Sequence, residues 1–211
     1  MPVASKVSIC NQALSRLGQY GSIENIDTPT KPTEITCALW WDTAREMALK
    51  IVKPNFALRR RYIAVSTDTP IFGYTYQYRY PSDCIHFLGI GEINDKENNY
   101  IIEAGTDGEL YIQTDAYAGE PLPCRFVIDV PTVSRWTPEF VYDMAWFLGE
   151  CINMQTTGDV SKQNIMQALI DKRNLQASSL NAMENRPIRK NVCHFAEARI
   201  NGFVGLNVDK K

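Results

Sequence analysis

Apolar residues recur at intervals of three and four from Ala4 to Leu17, where Val7, Cys10, Leu14 and Leu17 form one stripe and predict a helix. Gly18 stands where a helix C-cap glycine belongs. Gln19 to Pro32 is polar, holds two prolines and reads as loop. A second helix is expected from about Thr33, the candidate cap, without a capping box because a glutamate follows by one position rather than three. Its residues Cys37, Trp41, Ala44 and Ala48 make one stripe, and Trp40, Met47 and Ile51 make a neighbouring one. That face is wide enough to need burial on more than one side. Pro54 ends or kinks this helix, and a short helical piece over Asn55 to Arg61 is expected after it.

From Phe72 the period changes to two. Tyr74, Tyr76, Tyr78 and Tyr80 alternate with polar residues, which puts four rings on one face of a strand that Pro81 stops. Further strands are expected at Cys84 to Ile93, on either side of the turn "AGTDG", and at Arg125 to Val130. The period then returns to about 3.6. Thr137 and Pro138 open a helix with Val141, Met144, Ala145, Leu148, Cys151 and Ile152 as its buried stripe. "TTGD" breaks it, and Ser161 is the expected cap of a last long helix with Ile165, Ala168, Leu169, Leu175 and Met183 inward. Residues 185–211 have scattered apolar positions and no period. The fold class is therefore α+β, mainly α. Residues 1–69 and 132–184 are expected to form a four-helix bundle-like body, 70–131 an inserted small antiparallel β domain, and 185–211 an extended C-terminal tail. A two-layer α+β fold with one shared core is the competing arrangement.

Composition narrows the function. The chain has 211 residues, 45% hydrophobic and 22% charged, a globular composition long enough to do without a disulfide or metal staple. Its formal net charge of -2 argues against a protein that grips a long tract of phosphates. The six cysteines lie far apart with no CxxC and no histidine at ligand spacing, so reduced, mostly buried thiols in a cytosolic protein are expected rather than zinc. No leader and no run of membrane-spanning length is evident.

Little in the chain points to catalysis, and neither a cofactor nor a metal is expected. Phosphate-loop, dinucleotide, zincin and nucleophile-elbow motifs are missing from the sequence. Of two histidines, His86 reads as a half-buried strand residue, and His194 lies beside Cys193 without the two side chains being directed at each other. Carboxylate pairs such as Asp143 with Glu150, or Glu92 with Asp95, read as solvated faces; convergence from separate elements would instead suit a glycosidase. The densest basic spot, Arg59, Arg60 and Arg61, suits either contact with phosphate or an acidic partner, or a solvated helix end. The tyrosine row lacks the interleaved cations of a base-stacking platform, so it suits packing of the β unit or a face buried against a neighbouring subunit.

Taken together, "NQALSRLGQ" with an Ile-rich loop, "CALWWDTAREMAL", "NFALRRR" and "FGYTYQYRYPSDCIHFLGI" resemble the tail tubular protein A family of short-tailed bacteriophages, the head-to-tail adaptor or gatekeeper proteins. The resemblance covers about the first ninety residues and, in order and length only, the later helix pair. Tyr-x-Tyr-Pro-x-Asp-Cys, here Tyr78 to Cys84, is its most specific element. The family often has Trp where this chain has Pro54 or Asn55.

What the resemblance implies is a non-enzymatic structural protein of the virion tail, made in the host cytoplasm. About a dozen copies would self-associate into a ring beneath the portal protein, with head-to-tail contacts between subunits. The tail nozzle, a tail tubular protein B-like partner, would dock on the other side, with fibres or spikes at the rim. DNA would pass through the hole without sequence-specific binding, and a nearly neutral chain suits that sliding. On this reading Phe195, Ile200, Phe203, Val204 and Leu206 of the tail contact the portal or the adjacent subunit. Tyr74, Tyr76, Tyr78, Tyr80 and Arg59, Arg60 and Arg61 contact a neighbour or a tail component. The alternatives from other classes are a tail-associated cell-wall hydrolase using paired carboxylates and a sequence-independent DNA-binding protein.

Overall fold

The computed structural model describes residues 5–19, 22–91 and 99–184, with side chains to residue 172. Among them are four α-helices, α1 (Lys6–Arg16), α2 (Pro32–Val52), α3 (Pro138–Thr156) and α4 (Val160–Glu184). Six strands are described between α2 and α3: β1 (Leu58–Ile63), β2 (Gln77–Arg79), β3 (Cys84–Ile90), β4 (Ile101–Ala104), β5 (Leu110–Gln113) and β6 (Leu122–Ile128). They form two antiparallel three-stranded sheets, ordered β1-β6-β3 and β2-β5-β4, so the fold is mixed α+β.

Helix α3 is central: α1, α2 and α4 all pack on it. It is accordingly buried around most of its circumference, with Phe140, Met144, Phe147, Leu148 and Ile152 all closed off from solvent. Thr137 caps it by accepting from the Phe140 amide, and Pro138 fills the first turn, as the sequence predicts. At the end of α1, Gly18 has φ +71°, and the amides of Gly18 and Gln19 donate to the carbonyls of Ser15 and Leu14. These are the two bonds of a Schellman cap. The loop after α1 is pinned by Asn11, whose side chain exchanges hydrogen bonds with both the amide and the carbonyl of Ile23. Ile23 and Ile26 thereby plug the helical core.

Two hydrophobic clusters result. One joins the helices to Val127 and Val130 and to the half-buried Leu58, Ile85 and Leu88 at one end of the β1-β6-β3 sheet. The other lies between the two sheets, around Tyr78, Phe87, Ile112, Leu122 and Phe126. The β1-β6-β3 sheet thus has helices against part of one face and the second sheet against the other. Strand alternation sets this up: Val127 faces the helices while Phe126 faces the other sheet.

Four local expectations are corrected. The piece over Asn55 to Arg61 is a single 3-10 turn, Asn55–Ala57, followed by strand β1, because pairing with β6 from Leu58↔Val127 to Ile63↔Leu122 captures the chain. The sheet therefore draws its edge strand from the stretch read with the helices. The cap of α2 is Lys31 rather than Thr33, and Glu34, three residues on, reaches back to the Lys31 amide at 3.1 Å. Asp159, not Ser161, opens α4, its carboxylate accepting from the amides of Ser161 and Lys162. The inward residues of α4 are Met166 and Ile170, whereas Ile165 is 60% exposed; the expected stripe is off by one position. Leu175 and Met183 lie outside the described side chains.

Candidate interaction surface

The tyrosine row is not one long strand. The regular strand is residues 77–79, extended at each end by a single backbone bond, from Thr114 to the Tyr76 carbonyl and from Tyr80 to the Leu110 carbonyl, and Gly73, at φ +93°, lies in the bend before it. Tyr78 is fully buried, and its hydroxyl donates to the Glu120 carbonyl at 3.0 Å. Tyr76 and Tyr80 are half-buried against the same cluster, while Tyr74 is half-buried and outside it. The expected contact of Tyr78 with a neighbour is therefore corrected: its ring is core, because the second sheet closes over it.

The element from Tyr78 to Cys84 works as an internal staple. Tyr80 accepts a hydrogen bond from the Cys84 thiol at 3.0 Å, and its ring lies 5.9 Å from that of Phe87. Asp83 receives both Nη atoms of Arg61, at 3.0 and 2.8 Å. The Arg61 guanidinium also lies over the Phe126 ring, 5.4 Å from its centroid. Burial, more than the neighbouring groups, raises the pKa of both Tyr80 and Cys84.

The three consecutive arginines sit on an edge strand, not a helix end, and all are exposed. Arg59 donates to the carbonyls of Phe56 and Leu58, Arg61 pairs with Asp83, and Arg60 faces Arg125 across the β1–β6 pairing. An open cleft of about 930 Å³ lies beside Arg61, Tyr62, Arg79, Tyr80, Glu109 and Leu110. Its two arginines are already engaged, Arg61 by Asp83 and Arg79 by Glu109 at 3.1 Å.

Among the described residues, the candidate chemical groups lie on separate parts of the fold: His86 on β3, and Asp143 and Glu150 on α3. His86 is half-buried in β3, its pKa lowered by burial and then by Lys53 and Lys50. Asp143 and Glu150 are buried and half-buried on α3, rather than on the solvated face expected. Burial raises Glu150, with Asp171 adding to the effect, and Gln163 is its neighbour at 3.5 Å. Cys10, Cys37 and Cys124 are buried, and Cys84 and Cys151 half-buried, all as free thiols. The bond to Cys37, and then burial, raise the pKa of the Cys10 thiol. Among the described residues, no group of three or more His, Cys, Asp or Glu is placed to hold a metal. No helix among them is long and apolar enough to cross a membrane. Glu92, Asp95, Cys193, His194 and the tail residues Phe195, Ile200, Phe203, Val204 and Leu206 lie outside the described residues.

The described surface also presents apolar groups. Helix α2 buries Cys37, Trp41, Ala44, Ala48, Leu49 and Val52 against its neighbours. Elsewhere around the same helix it leaves Ile35 and Leu39 52% and 66% exposed and Met47 and Ile51 more than a third exposed. Trp40, in the row with Met47 and Ile51, is half-buried, and its indole N–H has no acceptor among the described residues. Ile71 and Phe72, at the turn between β1 and β2, are both more than four-fifths exposed. Sequence reading anticipated the second row of α2 but not this turn, although an Ile-Phe pair between Pro70 and Gly73 was a visible signal. No family model matches the chain, and no curated protein matches it.

Proposed function

We propose that this chain is a structural subunit, a head-to-tail adaptor whose copies form a ring between the portal and the tail nozzle of a short-tailed phage. The helical body is the ring wall, bundle-like around α3. The β unit meets a neighbouring subunit or a tail component, and DNA passes through the central hole. The C-terminal segment, with Phe195, Ile200, Phe203, Val204 and Leu206, reaches the portal or the adjacent copy.

The observation that carries a subunit role is α2. One helix has apolar residues on its core side and a second set facing solvent in the isolated chain. Solvent-facing apolar residues grouped along one element suit contact with another protein surface. The specific assembly rests on the sequence resemblance, above all Tyr78 to Cys84 and "NQALSRLGQ". Both stretches have structural work here: Tyr78 to Cys84 closes the β core, and Asn11 holds the loop after α1.

Co-sedimentation with isolated portal rings of the same virion tests the reading. The natural chain is expected to travel with the portal, and a Phe195→Ser, Phe203→Ser double variant to stay behind with unchanged helix content. A natural chain that does not bind portal contradicts the adaptor reading; a double variant that binds normally contradicts the role of the tail.

A further inference from the structure

The β unit is segregated by charge. Strands β1 and β6 carry Arg59, Arg60, Arg61 and Arg125 and no carboxylate. Residues 64–81 and 99–121, which contain β2, β4, β5 and their turns, carry Asp68, Glu103, Asp107, Glu109, Asp115 and Glu120 against a single cation, Arg79. All six carboxylates are exposed. Because β1 and β4 are each bonded to a strand on one side only, both are edge strands among the described residues. One edge is cationic and the other carries Glu103.

Arg60 and Arg125 stand opposite each other in register. Neither makes an ion pair among the described residues, and Arg125 is half-buried. Like charges directly opposite on a sheet are unfavourable, so this pair favours an anionic partner. Burial and then the charge of Arg60 also lower the pKa of Arg125. Glu103, for its part, is exposed and makes no ion pair among the described residues.

We infer that the arginine edge of β1 in one copy docks on the carboxylate edge around Glu103 on β4 of the next copy. This rests on the ring-subunit reading above and assigns its side-to-side contact. Two β1 edges facing each other would set arginine against arginine, which opposes a two-fold pairing through this strand and leaves the head-to-tail arrangement. A head-to-tail contact is the kind that closes into a ring. Strands bonded to a neighbour on one side only, among the described residues, also allow backbone pairing across the contact.

Charge reversal tests this on the full chain, by sedimentation velocity at low salt with chemical cross-linking. Arg60→Glu alone and Glu103→Arg alone are each expected to weaken self-association by about tenfold or more, since like charges then meet at every contact. An equal mixture of the two variants restores assembly, because each altered edge finds its complement in alternating copies. Raising the salt weakens association of the natural chain. Circular dichroism identical to that of the natural chain shows that both variants fold. If the natural chain assembles and the single variants assemble equally well, or if mixing restores nothing, the docking is wrong while the ring reading stands. If the natural chain forms no species above a monomer, alone or with portal, both fail together.

Discussion

Arg45 on α2 holds Asp129, just beyond β6, through two parallel hydrogen bonds, Nε to Oδ1 and Nη2 to Oδ2, both 2.9 Å. Asp42, one turn earlier on α2, takes the remaining reach of the guanidinium at Nη1. Arg45 is 7% exposed, so the guanidinium side of the fork is shielded from water, and the pair fixes the helix to the end of the sheet. Beside it the ring of Trp41 stacks on Trp136 at 6.1 Å, and Trp136 donates to the Val130 carbonyl at 2.8 Å. The junction between the helices and the β unit is therefore built as core, not as a loose linker.

Replacing Asp129 by Ala leaves that guanidinium with Asp42 alone. The carboxylate is itself part-exposed, which tempers the loss, so destabilisation of about 1–2 kcal/mol is expected from urea unfolding. A change within error would mean that the fork does not tie the two parts together.

Glu34 carries a pH dependence. Its carboxylate accepts from the amides of Thr30, Lys31 and Glu24, which hold its pKa at about 2, below the ordinary 4.5. A carboxyl depressed in the folded state stabilises above its unfolded pKa, and that contribution is lost as pH falls from about 4.5 toward 2. The natural chain should therefore lose stability over this window, and Glu34→Gln should lose less across it. Denaturant midpoints at several acidic pH values check this; parallel curves would contradict it.

Gly119 has φ +83°, and a Cβ there would lie 2.8 Å from Cε1 of Tyr76. Gly119→Ala is expected to cost about 1–3 kcal/mol, through backbone strain and displacement of the tyrosine ring from the β core. The thermal midpoint should fall; an unchanged midpoint would mean that Tyr76 is not held as described.

Met47→Lys with Ile51→Lys places charge on the outward row of α2, where both residues are more than a third exposed. Monomer stability should change by less than about 0.5 kcal/mol per site, as at an ordinary surface. Assembly should nevertheless be lost in cross-linking, because charge is poorly accommodated at the centre of an interface. Normal assembly by this variant would remove α2 as a contact.

The helices were legible in sequence because three of them bury strongly periodic stripes; Cys37, Trp41, Ala44 and Ala48 of α2 are inward as expected. Helix α4 was less so, since only Met166 and Ile170 among its described side chains are fully buried and a stripe that narrow does not fix the register. Strand β1 was misread because three arginines in six residues erase any alternation; its conformation comes from β6, more than fifty residues away, not from local preference. The tyrosine row did announce a β core, yet alternation alone could not show that Tyr78 closes it while Tyr74 stands outside. The same distance hid the arginine pair: the arginines were visible one by one, but the facing of Arg60 and Arg125 depends on the pairing of β1 with β6.

The most direct test of the central claim is single-particle electron microscopy of the chain mixed with portal rings of the same virion. A closed ring of repeated copies seated coaxially on the portal, with an open central hole, is the predicted result. Portal rings left bare, or carrying scattered single copies at saturating chain, would contradict the account.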